Sequence, residues 1–348
     1  MRGRSVRPAD RTAPAVATPT IGRPENPVAQ GPGLSADFRH WLKANGYAAC
    51  DFGRDRLAGG SFGGRSFANE PIEHTPVVFV HGSGDRASLG WMFEGFDRLP
   101  APLGFFNLGW STSVQAFKKN GYKNAELYAT TWGPGDCLNA QFHGFDKAAV
   151  MHQRKFIEAV LDYTDAKKIH IIAHSAGVPL ARRAIAGCWA VDQSGERYFV
   201  GPPLDDRVDT FLGICGANRG VPSGALFPWL PIFNPRTGYY PGMLGASGPL
   251  GMSEFLRDLE SEAKKCGDFV VSIWSGVDEL LAPGIVWGEP TSRIPKQDGE
   301  VVFMTPPYSH ILTRELTGAL QYELVTKHAC SASNAPLASI EGIPKVPP

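Results

Sequence analysis

The chain has 348 residues, 43% of them hydrophobic and 20% charged, and its formal net charge is +0. That is enough apolar material for one large domain or two small ones, and no apolar run is long enough to cross a bilayer. A neutral balance gives neither nucleic acid nor an anionic membrane an electrostatic reason to bind. Six cysteines (Cys50, Cys137, Cys188, Cys215, Cys266, Cys330) are dispersed without a C-x-x-C pair, so no zinc site is expected. They could form disulfides or stay as buried thiols, as expected for Cys215 inside an apolar strand. Their number leans towards an oxidising compartment.

Residues 1–32 are rich in Pro, Ala, Thr and Arg and have no periodicity, which predicts a disordered tail. The tail is basic at its start but has no apolar core of the signal-peptide kind, so a cytoplasmic location stays open beside secretion. Asp37 to Tyr47 reads as a short helix. Leu57 to Gly64 is a Gly-rich loop, and no Gly-Lys-Ser/Thr follows to make it a phosphate loop. Pro76 to Val80 is the first strong buried strand and runs directly into His81-Gly82-Ser83-Gly84-Asp85. Trp110 to Asn120 reads as a helix ended by Gly121, and Glu126 to Trp132 as a second strand. Asp146 then caps a helix whose Phe156, Ile157, Val160 and Leu161 form one apolar face. Further strands are expected at Ile169 to Ala173, Arg207 to Cys215, Phe269 to Trp274 and Glu300 to Met304. About six strands, separated by helices or long connections, imply a mostly parallel sheet with helices on both faces. The catalytic domain is expected to span residues 33–330, with an apolar insertion at 226–250 and a C-terminal tail at 331–348.

The chain is organised around Lys168 to Ile185. The β-branched run Ile169 to Ala173 is followed by His174-Ser175-Ala176-Gly177 and then by helical spacing from Val178 to Ile185. Strand, sharp turn and helix with a serine at the apex is the arrangement of a nucleophile elbow. Small residues two positions to either side, Ala173 and Gly177, let the turn close. The alternative is a serine capping an ordinary strand-to-helix turn. An elbow would aim the amide of Ala176 and the helix N-terminus at the point where an oxyanion develops. In serine hydrolases of the α/β class, a His-Gly loop after an earlier strand supplies the second oxyanion amide, expected here from Ser83.

The chain order in such folds is serine, then acid, then histidine. Of the late histidines, His328 sits at the end of the terminal helix. His310 lies between the last strand and that helix, where a general base must be. Asp278 is the first acid past the strand Phe269 to Trp274. It would hold the Nδ1 proton of His310, with Glu279 as the fallback. The insertion carries Phe227, Trp229 and Phe233 without helical or strand period. Such a loop either lines or covers an acyl groove, or folds down as a satellite core.

With these residues assembled, the chain resembles the class 2 lipases, secreted α/β-hydrolases of nematodes and bacteria. The resemblance is carried by Thr75 to Asp85, Ala125 to Gly133, Ala166 to Gly177, Arg207 to Asn218 and Val286 to Pro295, and covers about residues 57 to 327. More distantly the chain looks like the small lidless bacterial lipases and an extracellular polyhydroxyalkanoate depolymerase. The resemblance implies an α/β-hydrolase fold, Ser175 as nucleophile, Asp278 as acid and His310 as base, with the Ser83 and Ala176 amides as oxyanion hole. One departure is Ala176 itself, where many relatives carry methionine. The other is the missing signal peptide. The expected activity is hydrolysis of lipid or short-to-medium-chain acyl esters without metal or organic cofactor, with contact to a lipid interface. Polyester depolymerase or thioesterase action is the alternative. A catalytically silent binding protein of the same fold would lack a triad member, and here all three positions are filled.

Overall fold

The computed structural model describes residues 33–88, 109–243, 251–261, 265–282 and 284–346. The predicted N-terminal tail and residues 244–250 of the insertion lie outside the described residues. The strands are β1 (Ser61–Phe62), β2 (Val77–Val80), β3 (Leu127–Thr130), β4 (Ile169–His174), β5 (Cys188–Val191), β6 (Arg197–Gly201), β7 (Val208–Ile214), β8 (Phe269–Ser275), β9 (Ile285–Val286), β10 (Glu289–Pro290), β11 (Gly299–Phe303) and β12 (Ser339–Glu341). Eight of them form the central sheet in the order β1-β3-β2-β4-β7-β8-β11-β12. The six inner strands run parallel, from β3 across to β11.

The inner strands are those the sequence reading marks, because strands buried on both faces need near-continuous apolar runs. Every residue of β2, β3 and β4 is buried. The two edge strands account for the difference from the six expected. Both are short and pair antiparallel, β1 with β3 and β12 with β11. A strand of two or three residues carries no alternation to read, and its shortness also limits edge-to-edge pairing with other chains. The segment after residue 330, expected as a tail, therefore returns to the sheet and buries Ala335 and Ile343 in the common core. β5 and β6 form a separate hairpin with the exposed rings of Trp189 and Phe199 5.5 Å apart.

The helices are α1 (Ala36–Ala44), α2 (Ser111–Lys119), α3 (Cys137–Ala140), α4 (Lys147–Thr164), α5 (Gly177–Ala186), α6 (Glu254–Ser261), α7 (His310–Leu316) and α8 (Gly318–Lys327). Asp146 caps α4 as expected, its carboxylate accepting from the Ala149 amide at 2.7 Å. α4 packs on α5, with α1 and α6 beside them, and α2 packs on α8 and α7. No described helix is long and apolar enough to cross a membrane. The disulfides allowed by the cysteine count are not formed among the described cysteines. Cys50, Cys188, Cys215, Cys266 and Cys330 are free thiols, and Cys215, just past the end of β7, is fully buried as expected.

Candidate active site

The centre of the site is the turn from β4 into α5. Ser175 sits there with φ +54°, a left-handed conformation that costs a non-glycine residue energy and persists only where its surroundings enforce it. The enforcement is visible. The Ser175 amide donates to the Ile214 carbonyl at 2.8 Å, and the Val178 amide donates back to the Ser175 carbonyl at 3.0 Å. A side chain at Gly177 would strike the carbonyl oxygens of Val80 and His81, which is why the A-x-S-x-G pattern ends in glycine. The serine hydroxyl is thereby lifted past the end of the sheet.

His310 opens α7, where Ser309 caps the helix. Its Nε2 lies 2.9 Å from Ser175 Oγ, and its Nδ1 lies 2.7 Å from Asp278 Oδ2. The carboxylate fixes the Nδ1–H tautomer and leaves Nε2 as acceptor for the serine proton. The other Asp278 oxygen accepts from the Leu280 and Leu281 amides at 3.0 and 2.9 Å. Burial alone would raise the Asp278 carboxyl, but the His310 ring, the Leu281 amide and the Cys215 thiol hold it below the ordinary carboxylate range. Glu279 accepts a hydrogen bond from the His310 backbone amide at 3.0 Å and does not meet the ring. His174, the neighbour of the elbow serine, is buried and donates from Nε2 to the His310 carbonyl at 3.1 Å.

The loop after β2 stands on the other side of Ser175. His81 donates from Nδ1 to the Gly82 carbonyl at 2.7 Å, and its Nε2 accepts from the Trp132 amide at 3.0 Å. The two rings stack at 5.5 Å, and the Trp132 indole donates to the His81 carbonyl at 2.8 Å. Gly82 is pressed so close to the elbow that a Cβ there would lie 2.9 Å from Ser175 Cβ. Asp85 at the loop's end is buried and ion-paired with Arg314, one turn beyond His310 on α7. This pair ties the loop to the helix that carries His310. Among the described residues, neither the Ser83 nor the Ala176 amide is spent on a protein acceptor. Both residues border the same cavity as Ser175.

That cavity has a volume of about 340 Å³. Beyond the polar cluster its walls are apolar: Ala217, Val221, Ile232, Phe233, Leu280, Leu281 and Ile311. Of the three insertion residues named from sequence, Phe233 lines the cavity. Phe227 and Trp229 do not; they pack edge to face on one another, and Trp229 is 71% exposed. Among the described residues one trio has metal-type ligand atoms within 4.8 Å of one another: Cys215, Asp278 and His310. Two of its members, His310 Nδ1 and Asp278 Oδ2, are hydrogen-bonded to each other at 2.7 Å. Two features escaped the sequence reading, namely the His81–Trp132 stack and the Asp85–Arg314 pair. Each joins residues remote in the chain, so no local pattern signals them.

Two histidines beside the site make stability pH-dependent. Burial pushes His81 down from 6.5 to about 4 and His174 well below its ordinary value. The unfolded chain binds these protons below its ordinary pKa, whereas the folded chain refuses them. The stability present above pH 6.5 is therefore lost as the pH falls towards 4, by about 3 kcal/mol at His81 alone. Melting followed by circular dichroism between pH 7 and pH 4.5 should show a steadily falling midpoint; a flat midpoint would contradict neutral, buried rings.

A serine on a strand–turn–helix elbow, a histidine after the last parallel strand and an acid after the strand before it place the chain in the α/β-hydrolase fold. The sequence matches the family described as lipase (class 2) over residues 74–323, and the chain belongs to that family. It is accordingly a carboxylic-ester hydrolase. No curated protein gives a match. Similar solved structures include lipase B of Aspergillus fumigatus, at 14% identity and TM-score 0.43 over 68% of this chain and 45% of that chain. A lipase of Bacillus licheniformis in its mature form is similar at 14% identity and TM-score 0.42, over 78% of this chain and 99% of that one. A monoacylglycerol lipase of Paleococcus ferrophilus is similar at 15% identity and TM-score 0.39, over 72% and 88%. The chain thus spans less than half the length of the Aspergillus enzyme. Family membership rests on the sequence match, and the fold on the strand order.

Proposed function

We propose that the protein is a serine lipase or esterase that works through an acyl-enzyme on Ser175. The observation that carries this is the unbroken hydrogen-bond chain Ser175–His310–Asp278 at the mouth of an apolar-walled cavity. Ser175 Oγ attacks the ester carbonyl carbon while His310 Nε2 takes its proton. The negative charge that forms on the carbonyl oxygen is met by the free amides of Ser83 and Ala176. His310 returns the proton to the departing alcohol, and water then repeats the cycle on the acyl-enzyme. Asp278 keeps the imidazole oriented and stabilises its cationic form.

The substrates we propose are esters of short to medium acyl chains, with the chain lying along Val221, Ile232, Phe233 and Leu281. The exposed Leu226, Phe227 and Trp229 would contact a lipid interface. Leu138 and Phe142 would extend that rim, because the Ile232 amide bonds the Gln141 carbonyl at 3.2 Å and holds the two segments together. A buried methylene is worth about 0.8 kcal/mol, so six half-buried ones give roughly 2–3 kcal/mol. A p-nitrophenyl ester series should therefore gain about 30- to 150-fold in kcat/KM from acetate to octanoate. Phe233→Ser should flatten that profile. Trp229→Ser should lower the rate on emulsified ester more than on dissolved ester. A profile that peaks at acetate and is untouched by Phe233→Ser would remove the cavity from substrate recognition.

A further inference from the structure

The Tyr239 hydroxyl is a buried polar group that the mechanism so far leaves unused. Tyr239 is 3% exposed, yet among the described residues its hydroxyl has no hydrogen-bond partner of good geometry. Such a group costs stability unless something outside the resting protein uses it. The residue is held firmly. Its amide donates to the Ile232 carbonyl at 2.8 Å, its carbonyl accepts from the Val221 amide at 3.0 Å, and its ring packs edge to face on Phe145 at 4.5 Å. It lines the same cavity as Ser175, and its hydroxyl faces the side chain of Ser83. Burial raises the phenol's pKa, so it keeps its proton and can donate.

We infer that the Ser83 side-chain hydroxyl is a third oxyanion donor and that Tyr239 is the positioning residue that aims it. The proposal rests on the Ser175 mechanism above. A serine hydroxyl has one proton and two acceptor lone pairs. If Tyr239 donates into one lone pair of Ser83 Oγ, the serine proton is turned away from the phenol and towards the cavity. Gly82 is pressed against Ser175, so the next residue borders the point where the ester oxygen must sit. In the resting enzyme the phenol waits without a good partner; when charge forms on the substrate oxygen, the Tyr239–Ser83–oxyanion chain closes. The interaction is then stronger in the transition state than in the ground state, which is the condition for a gain in kcat.

The test compares Ser83→Ala, Tyr239→Phe and the double variant on p-nitrophenyl butyrate, with KM and melting midpoint measured alongside. Losing one oxyanion donor typically costs on the order of 10²- to 10³-fold, and a side-chain third donor should cost about 10- to 100-fold in kcat with little change in KM. Tyr239→Phe should lose nearly as much kcat as Ser83→Ala. Its melting midpoint should not fall, because the deleted hydroxyl makes no good bond in the resting protein. The double variant should be no slower than Ser83→Ala alone, the signature of two groups acting as one. An unimpaired Ser83→Ala overturns the third donor. Losses that multiply, or a Tyr239→Phe that melts early with normal kcat, overturn the positioning role. Phosphonate labelling of the wild type is run beside these assays. A wild type that does not label at Ser175 sinks the underlying mechanism, whereas labelling with normal turnover in Ser83→Ala sinks the third donor alone.

Discussion

Asp278→Asn is expected to lower kcat by about 10⁴-fold, the loss seen when the orienting acid of a serine triad becomes an amide. The cause would be the tautomer. An asparagine that donates its NH2 to His310 Nδ1 puts the ring proton on Nε2, where the serine proton has to go. Ser175→Ala should cost more, on the order of 10⁶-fold, while the fold stays intact because only one half-buried hydroxyl is removed. Glu279→Gln makes the contrast. Its carboxylate holds the backbone amide of His310 and not the ring, so the loss should stay within about tenfold. Steady-state kinetics of the three variants decide the matter. Near-normal turnover in Asp278→Asn combined with collapse in Glu279→Gln would hand the acid's role to Glu279.

The largest effect on stability is expected at Arg314. This guanidinium is buried, pairs with Asp85 and Glu315, and lies over the Trp110 ring at 5.2 Å. Burial by itself would lower its pKa, but the two carboxylates raise it above the ordinary arginine value, so it stays charged. Arg314→Leu would leave the Asp85 carboxylate buried without its cation, a change that typically costs about 3–5 kcal/mol. Denaturation in urea measures it. Adding Asp85→Asn to that variant should restore part of the loss by removing the stranded charge. An Arg314→Leu protein within about 1 kcal/mol of wild type would show that the pair does not hold the loop to α7. So would a double variant weaker than the sum of the two single changes.

Much of the site was legible because three of its requirements are local. An elbow needs small residues around one serine, and Ala173 and Gly177 stand at those positions. Chain order restricts base and acid to the ends of the last strands, which leaves His310 and Asp278. Buried parallel strands need unbroken apolar runs, and the six inner strands have them. What was not legible is set by tertiary contact. β1 and β12 owe their strand conformation to neighbours that Ser61–Phe62 and Ser339–Glu341 do not encode in any alternation. Phe227, Trp229 and Phe233 look alike in sequence. Only the folded loop turns Phe233 into the cavity and leaves the other two outside. Tyr239 and Arg314 are an aromatic and a basic residue of no special pattern until the fold brings them to Ser83 and Asp85.

The central claim is that Ser175 is the nucleophile, activated by His310. The most direct measurement is reaction of the folded wild type with a fluorophosphonate, followed by peptide mapping of the adduct by mass spectrometry. The account predicts one phosphonyl group per chain, on Ser175, together with loss of ester hydrolysis in step with labelling. Adduct on any other residue, or full hydrolysis by protein labelled at Ser175, would contradict it.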